Sequence, residues 1–184
     1  MSAEPEIRSL IEATKPGMKL KLEQWRPIEN LQSGDEARIR MVRITPLKGA
    51  EALIDSEEKE SDVVLNNGLD GLCSLLGAAS PIPNFKWTAV GTDATAAARN
   101  QSNLIAEVMR VAATYAKDAP VGDASLDSVF NIAVSGYALN EISLANISGV
   151  NVSAIHYCRD TYATKNVISG DTVNSYYTAS FSGA

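Results

Sequence analysis

The feature that most constrains this chain is a series of short runs in which apolar and polar residues alternate, each closed by a turn signal. The clearest is the last, Asp171-Thr-Val-Asn-Ser-Tyr-Tyr-Thr-Ala-Ser-Phe181, which is rich in residues that favour strands. A period of two sends successive side chains to opposite faces, so such a run specifies a half-buried strand. Alternation also marks 37–44, with Ile39 and Met41 inward, and, with some mixing, 127–134; further strand candidates cover 63–65, 85–90, 111–115, 139–144 and 150–157. Roughly seven or eight short strands with turns between them predict a mainly β fold of β-sandwich or jelly-roll type.

Two short helices interrupt the pattern. The first covers about 68–77 with Leu69, Leu72, Cys73, Leu75 and Leu76, and stops near Gly77. Among these leucines Cys73 reads as a small buried hydrophobe. The second is a helical turn from Asn103 to Arg110, after a surface loop of small residues at 94–102.

The N-terminal third reads differently. Residues 4–14 place Ile7, Leu10 and Ile11 on one helical face, Pro5 suits a first turn, and Lys15-Pro16-Gly17 ends the segment. So short a helix needs a partner for its apolar face, either the domain surface or a neighbouring subunit. Residues 18–31 follow as an extended arm with Trp25 docked. The expected division is therefore an N-terminal helix and docking arm at 1–35 and a β-sandwich-like domain at 36–184. Ile7, Leu10, Ile11 and Trp25 are the candidate interface residues. On that division, removing residues 1–33 leaves a folded core.

With 184 residues, 45% of them hydrophobic and 21% charged, the chain has enough apolar material for one buried core. A net charge of −6 argues against a general binder of nucleic acid or of anionic membranes. No run approaches the roughly 20 apolar residues that span a bilayer, and no basic region followed by an apolar stretch marks a secretory signal. The expected partners therefore include neither nucleic acid nor membrane. The cysteines, Cys73 and Cys158, lack metal-site spacing, and their pairing is open.

No stretch offers a reactive centre. The single histidine, His156, lies within a strand run and reads as structural or surface-exposed. There is no Gly-x-Ser-x-Gly elbow, and the glycines match neither the dinucleotide fingerprint nor the phosphate loop. Arg38, Arg40 and Arg43 read as a solvated strand face. Asp55, Glu57, Glu58 and Glu60 form an acidic connection without the spacing of a calcium loop. No catalytic residue, metal or cofactor is expected.

Taken together, Val64-Leu-Asn-Asn-Gly-Leu69, Thr88-Ala-Val-Gly-Thr92, Leu104-Ile-Ala-Glu-Val-Met-Arg-Val111, Leu139-Asn-Glu-Ile-Ser-Leu144 and Ser169-Gly-Asp-Thr-Val-Asn-Ser-Tyr-Tyr177 follow one another in a telling order. Over residues 36–184 this order resembles a loose group of small structural proteins of tailed bacteriophages and prophages. The chain departs from the group at Ser143, where glycine is usual, and in the loop 94–102, which lacks the usual prolines. The resemblance implies a virion component made in the host cytoplasm, with other virion proteins of tail or capsid as partners, and a homo-oligomer, a trimer by analogy.

The resulting expectation is a non-enzymatic, tail- or fibre-associated structural protein that engages its neighbours through the N-terminal arm. Capsid decoration or a head fibre is the alternative within the class. From another class comes a carbohydrate- or receptor-binding module that stacks ligands on Trp87, Tyr137, Tyr157 and Tyr176. A hydrolase with dispersed carboxylates would need a deep cleft with two facing acids.

Overall fold

The computed structural model describes residues 17–27, 47–48, 51–60, 63–77, 82–118, 123–149 and 154–180. Among them lie eleven strands and one helix: β1 (Gly17–Pro27), β2 (Leu47–Lys48), β3 (Glu51–Glu60), β4 (Val63–Val64), α1 (Asn66–Gly77), β5 (Trp87–Gly91), β6 (Glu107–Ala112), β7 (Thr114–Asp118), β8 (Asp123–Asn131), β9 (Tyr137–Ala145), β10 (His156–Val167) and β11 (Thr172–Ser180). The strands pair antiparallel in two sheets, one of six strands in the order β2-β3-β1-β11-β8-β7 and one of five in the order β4-β10-β9-β5-β6. The protein is mainly β, as its alternating runs predict.

One apolar cluster draws on both sheets. Leu20 and Leu22 on β1, Phe130 on β8, and Val173 and Tyr177 on β11 meet Val90, Ile142, Leu144 and Cys158 of the other sheet. A buried hydrogen bond between Thr88 Oγ1 and Ser128 Oγ, 2.6 Å, also joins β5 to β8. β6 and β7 are edge strands of different sheets, and the chain passes between the sheets at Ala113.

Several expectations are corrected here. The stretch expected as a docking arm contains β1, which lies inside the six-stranded sheet between β3 and β11. Its alternation of Leu20 and Leu22 with Lys21 and Glu23 was visible, but it is a core strand. Trp25 is buried within β1, and its Nε1–H donates to Glu23 Oε2 at 3.2 Å. The acidic stretch at 55–60 is not a connection but part of β3, with Glu58 opposite Lys21 and Glu60 opposite Lys19.

The second half of the helical turn expected at 103–110 is strand β6, paired with β5, and the first half is not helical. Cross-strand pairing outweighs the local pattern there. The run expected at 150–157 overlaps β10 only at His156 and Tyr157, and that strand continues to Val167; residues 150–153 lie outside the described residues. Of the two helices expected within the domain, only α1 is found among the described residues. The helix at 4–14, the strand at 37–44 and the basic residues Arg38, Arg40 and Arg43 lie outside the described residues, as do Ile7, Leu10 and Ile11.

Candidate interaction site

α1 approaches the five-stranded sheet through glycine. Its buried residues are Gly68 and Gly71. A Cβ added to Gly68 would sit 2.6 Å from Tyr157 Cα on β10, and one added to Gly71 would sit 2.8 Å from Phe85 Cζ. Helix and strand are therefore closer than side chains permit, a contact that only glycine allows. Backbone bonds fix the entry to the helix: Leu65 N–H donates to Tyr157 O, and Asn66 N–H to Arg99 O, both at 2.9 Å.

The consequence is an inverted helix. With its glycine face inward, α1 turns its leucines out: Leu69 is 41% exposed, Leu75 39% and Leu76 88%. Leu72 alone of the four packs against the core. Cys73 is exposed, not buried as expected, and neither it nor the buried Cys158 is in a disulfide. The leucine spacing was legible in the sequence; the direction it faces was not, because Gly68 and Gly71 decide it.

Beside α1 the space between the sheets opens to solvent in a groove of about 410 Å³. Its floor comes from the six-stranded sheet, with Tyr115, Ala124, Leu126 and Ala179, and its wall from Leu72, Phe85, Leu144 and Tyr157. The lining is almost wholly apolar, with Lys86 its only charged residue. The Phe85 and Tyr157 rings pack with centroids 5.5 Å apart. Burial pushes the Tyr157 hydroxyl up to about 12, so it stays a hydrogen-bond donor at neutral pH. That hydroxyl is buried without a partner among the described residues.

Buried polar groups hold the surrounding loop. Glu141 on β9 accepts from Ile105 N–H at 3.1 Å, Ala106 N–H at 2.7 Å and Arg159 Nε–H at 2.8 Å. Arg159 also donates to Thr95 O at 2.8 Å and Gln101 Oε1 at 3.1 Å. Both members of the Glu141–Arg159 pair are fully buried. Together they pin the loop 92–106 to the five-stranded sheet. Neither residue stood out in the sequence, since a carboxylate and a guanidinium 18 positions apart leave no local signal.

His156 is buried, not on the surface, and is bonded to Ser143 and Arg110. Arg110 Nη2 faces His156 Nε2 at 3.1 Å, and a guanidinium only donates, so Nε2 accepts. The ring proton therefore sits on Nδ1 and points at Ser143 Oγ. A general base would need that nitrogen free to take the serine proton. Burial, then the neighbouring Arg110, hold His156 down at about 4, so the ring is neutral at pH 7. The arrangement is that of a structural hydrogen bond.

The expected stacking residues are not gathered on one surface. Trp87, Tyr137 and Tyr157 belong to the five-stranded sheet, whereas Tyr176 belongs to β11 of the other, beside Lys21 and Glu23. Asp55 bonds Lys165 Nζ at 2.9 Å and Glu57 accepts from Ala163 N–H at 3.1 Å, so these acids tie β3 to β10. Among the described residues no group of three potential metal ligands occurs, and no helix is long and apolar enough to cross a membrane. Comparison of the chain with protein-family models, curated proteins and solved structures finds no match.

Proposed function

We propose that the chain is a non-enzymatic structural component of a tailed-phage particle, tail- or fibre-associated, built as a β-sandwich of jelly-roll type and acting through contacts with neighbouring subunits. The observation that carries this reading is the outward leucine face of α1, anchored from beneath by Gly68 and Gly71. Large apolar side chains held rigidly outward form the core of a contact surface, because covering them removes apolar area from water at little further ordering cost.

The segments behind the phage resemblance also support it. Val64 to Leu69 opens α1, Thr88 to Thr92 closes β5, Leu104 to Val111 runs into β6, and Leu139 to Leu144 lies in β9. β9, β5 and β6 are consecutive neighbours in one sheet, so most of the resemblance maps to a single block of the fold. In this reading the contact surface is α1 rather than the stretch around Trp25. A homo-oligomer, with the trimer as the model to test, follows from the resemblance.

Tailed particles from producing cells, labelled with antibody against this chain and imaged in negative stain, test the proposal. Label at the tail is the expected outcome. Label over the shell replaces it with capsid decoration, and particles free of label remove the virion reading.

A further inference from the structure

We propose that the groove beside α1 binds a single-chain anionic amphiphile, a free fatty carboxylate, with its tail between the sheets and its head at a lysine rim. This does not rest on the virion reading. Strand register explains why the groove exists. On the inner face of the six-stranded sheet, Tyr115, Leu126 and Tyr177 stand in one cross-strand row, and Lys117, Ala124 and Ala179 in the next. Leu126 and Tyr177 of the first row pack into the core. In the second row two methyl groups stand in their place, so the space between the sheets stays open, and both alanines line it.

Size and lining select a tail. A cavity of about 150 Å³ takes a six-carbon ring, so the 410 Å³ here admits roughly 16 non-hydrogen atoms. That is one acyl chain; a two-chain lipid is too large. Leu72, Phe85, Leu144 and Tyr157 offer it hydrocarbon and aromatic surface. A peptide would bring backbone donors and acceptors that so apolar a lining leaves unpaired.

Charge selects the head. Lys86 lines the groove, and Lys117 lies opposite Ala124 on the face that forms the floor. Both are exposed, and neither has an ion-pair partner among the described residues. No acid lines the groove. A lysine stem lies along apolar surface while its ammonium stays in water, so a carboxylate at the mouth meets two cations as its tail leaves water. The whole chain carries −6, so this positive rim is a local feature.

Titration calorimetry of the full chain with dodecanoate, below its micelle concentration, tests this. Saturable binding is expected, with dodecyltrimethylammonium at least about tenfold weaker, as two exposed ion pairs imply. Lys86→Glu with Lys117→Glu is expected to weaken dodecanoate by about tenfold or more. Ala124→Phe fills the floor and abolishes binding; Ala179→Leu, in the same row, is the second blocking variant. Urea unfolding shows that each variant is folded. A wild type that takes up no dodecanoate overturns the proposal, as does equal affinity for the two head groups or binding indifferent to the blocking substitutions. Cosedimentation with phosphatidylglycerol vesicles in place of dodecanoate uptake also overturns it, since the partner is then a membrane surface.

Discussion

Gly68 and Tyr157 are packed so closely that a Cβ on the glycine would lie 2.6 Å from the tyrosine's Cα. The neighbour is backbone near the start of β10, at an irregularity in its pairing with β9, and backbone has no side-chain rotamer by which to give way. This contact sets both the position of α1 and the outward direction of its leucines.

Gly68→Ala is therefore expected to cost about 1–3 kcal/mol, as overpacking does, and to loosen α1. Gly77, at the end of the same helix, has nothing within 4 Å of an added Cβ, so Gly77→Ala is expected to stay near neutral. Urea unfolding of the two variants checks the contrast. Equal midpoints would show that α1 is not held by this contact.

Glu141→Gln keeps the shape of the side chain but leaves the guanidinium of Arg159 buried without its carboxylate. Breaking a fully buried pair on one side costs about 3–5 kcal/mol. The loss is expected to appear first in the loop 92–106, as faster exchange at the Ile105 and Ala106 amides that Glu141 binds. A variant with unchanged midpoint and unchanged exchange at those amides would refute the pinning role.

His156 gives stability a pH dependence of known sign. An unfolded histidine titrates near 6.5, whereas burial and then Arg110 hold His156 at about 4 in the fold. Between those values the unfolded chain binds a proton that the folded chain does not, so this contribution is complete above about pH 6.5 and is lost as pH falls toward 4. Relative to His156→Gln, the wild type is expected to lose about 2–3 kcal/mol between pH 7 and pH 4.5. Denaturant midpoints of both proteins at the two pH values measure it; a difference independent of pH would contradict the assignment.

Residues 17–27 are predicted to be indispensable. β1 bridges β3 and β11, and the buried Arg26 pairs with Asp171 at 2.8 Å while Gln24 Nε2 donates to the same carboxylate at 2.9 Å. A chain starting at residue 34 is expected to lack cooperative unfolding, the reverse of what the sequence reading as an arm implies. A soluble product with a wild-type circular dichroism spectrum would restore the arm.

The strands that could be read from the sequence are those with one apolar face, such as β11 with Val173 and Tyr177 inward. Of β10 only the start at His156 and Tyr157 was legible as strand; its continuation was missed because the run Cys158-Arg-Asp-Thr161 carries charges into the interior. They are tolerated because Glu141 meets Arg159 and Tyr177 donates to Asp160 at 2.7 Å, partners distant in sequence. β3 was missed for a related reason: its acids face cations on β1 and β10, which turns an apparently solvated run into a paired strand. At the candidate site the leucines of α1 were visible, but their outward direction depends on a glycine contact with a strand about 90 residues away.

The most direct test is the solution mass of the wild type and of Leu69→Glu with Leu76→Glu, by light scattering at tens of micromolar. If the leucine face of α1 is the contact surface, the wild type forms a discrete homo-oligomer and the double variant a folded monomer. A wild type that is monomeric, or an oligomer unchanged by the two glutamates, would contradict it.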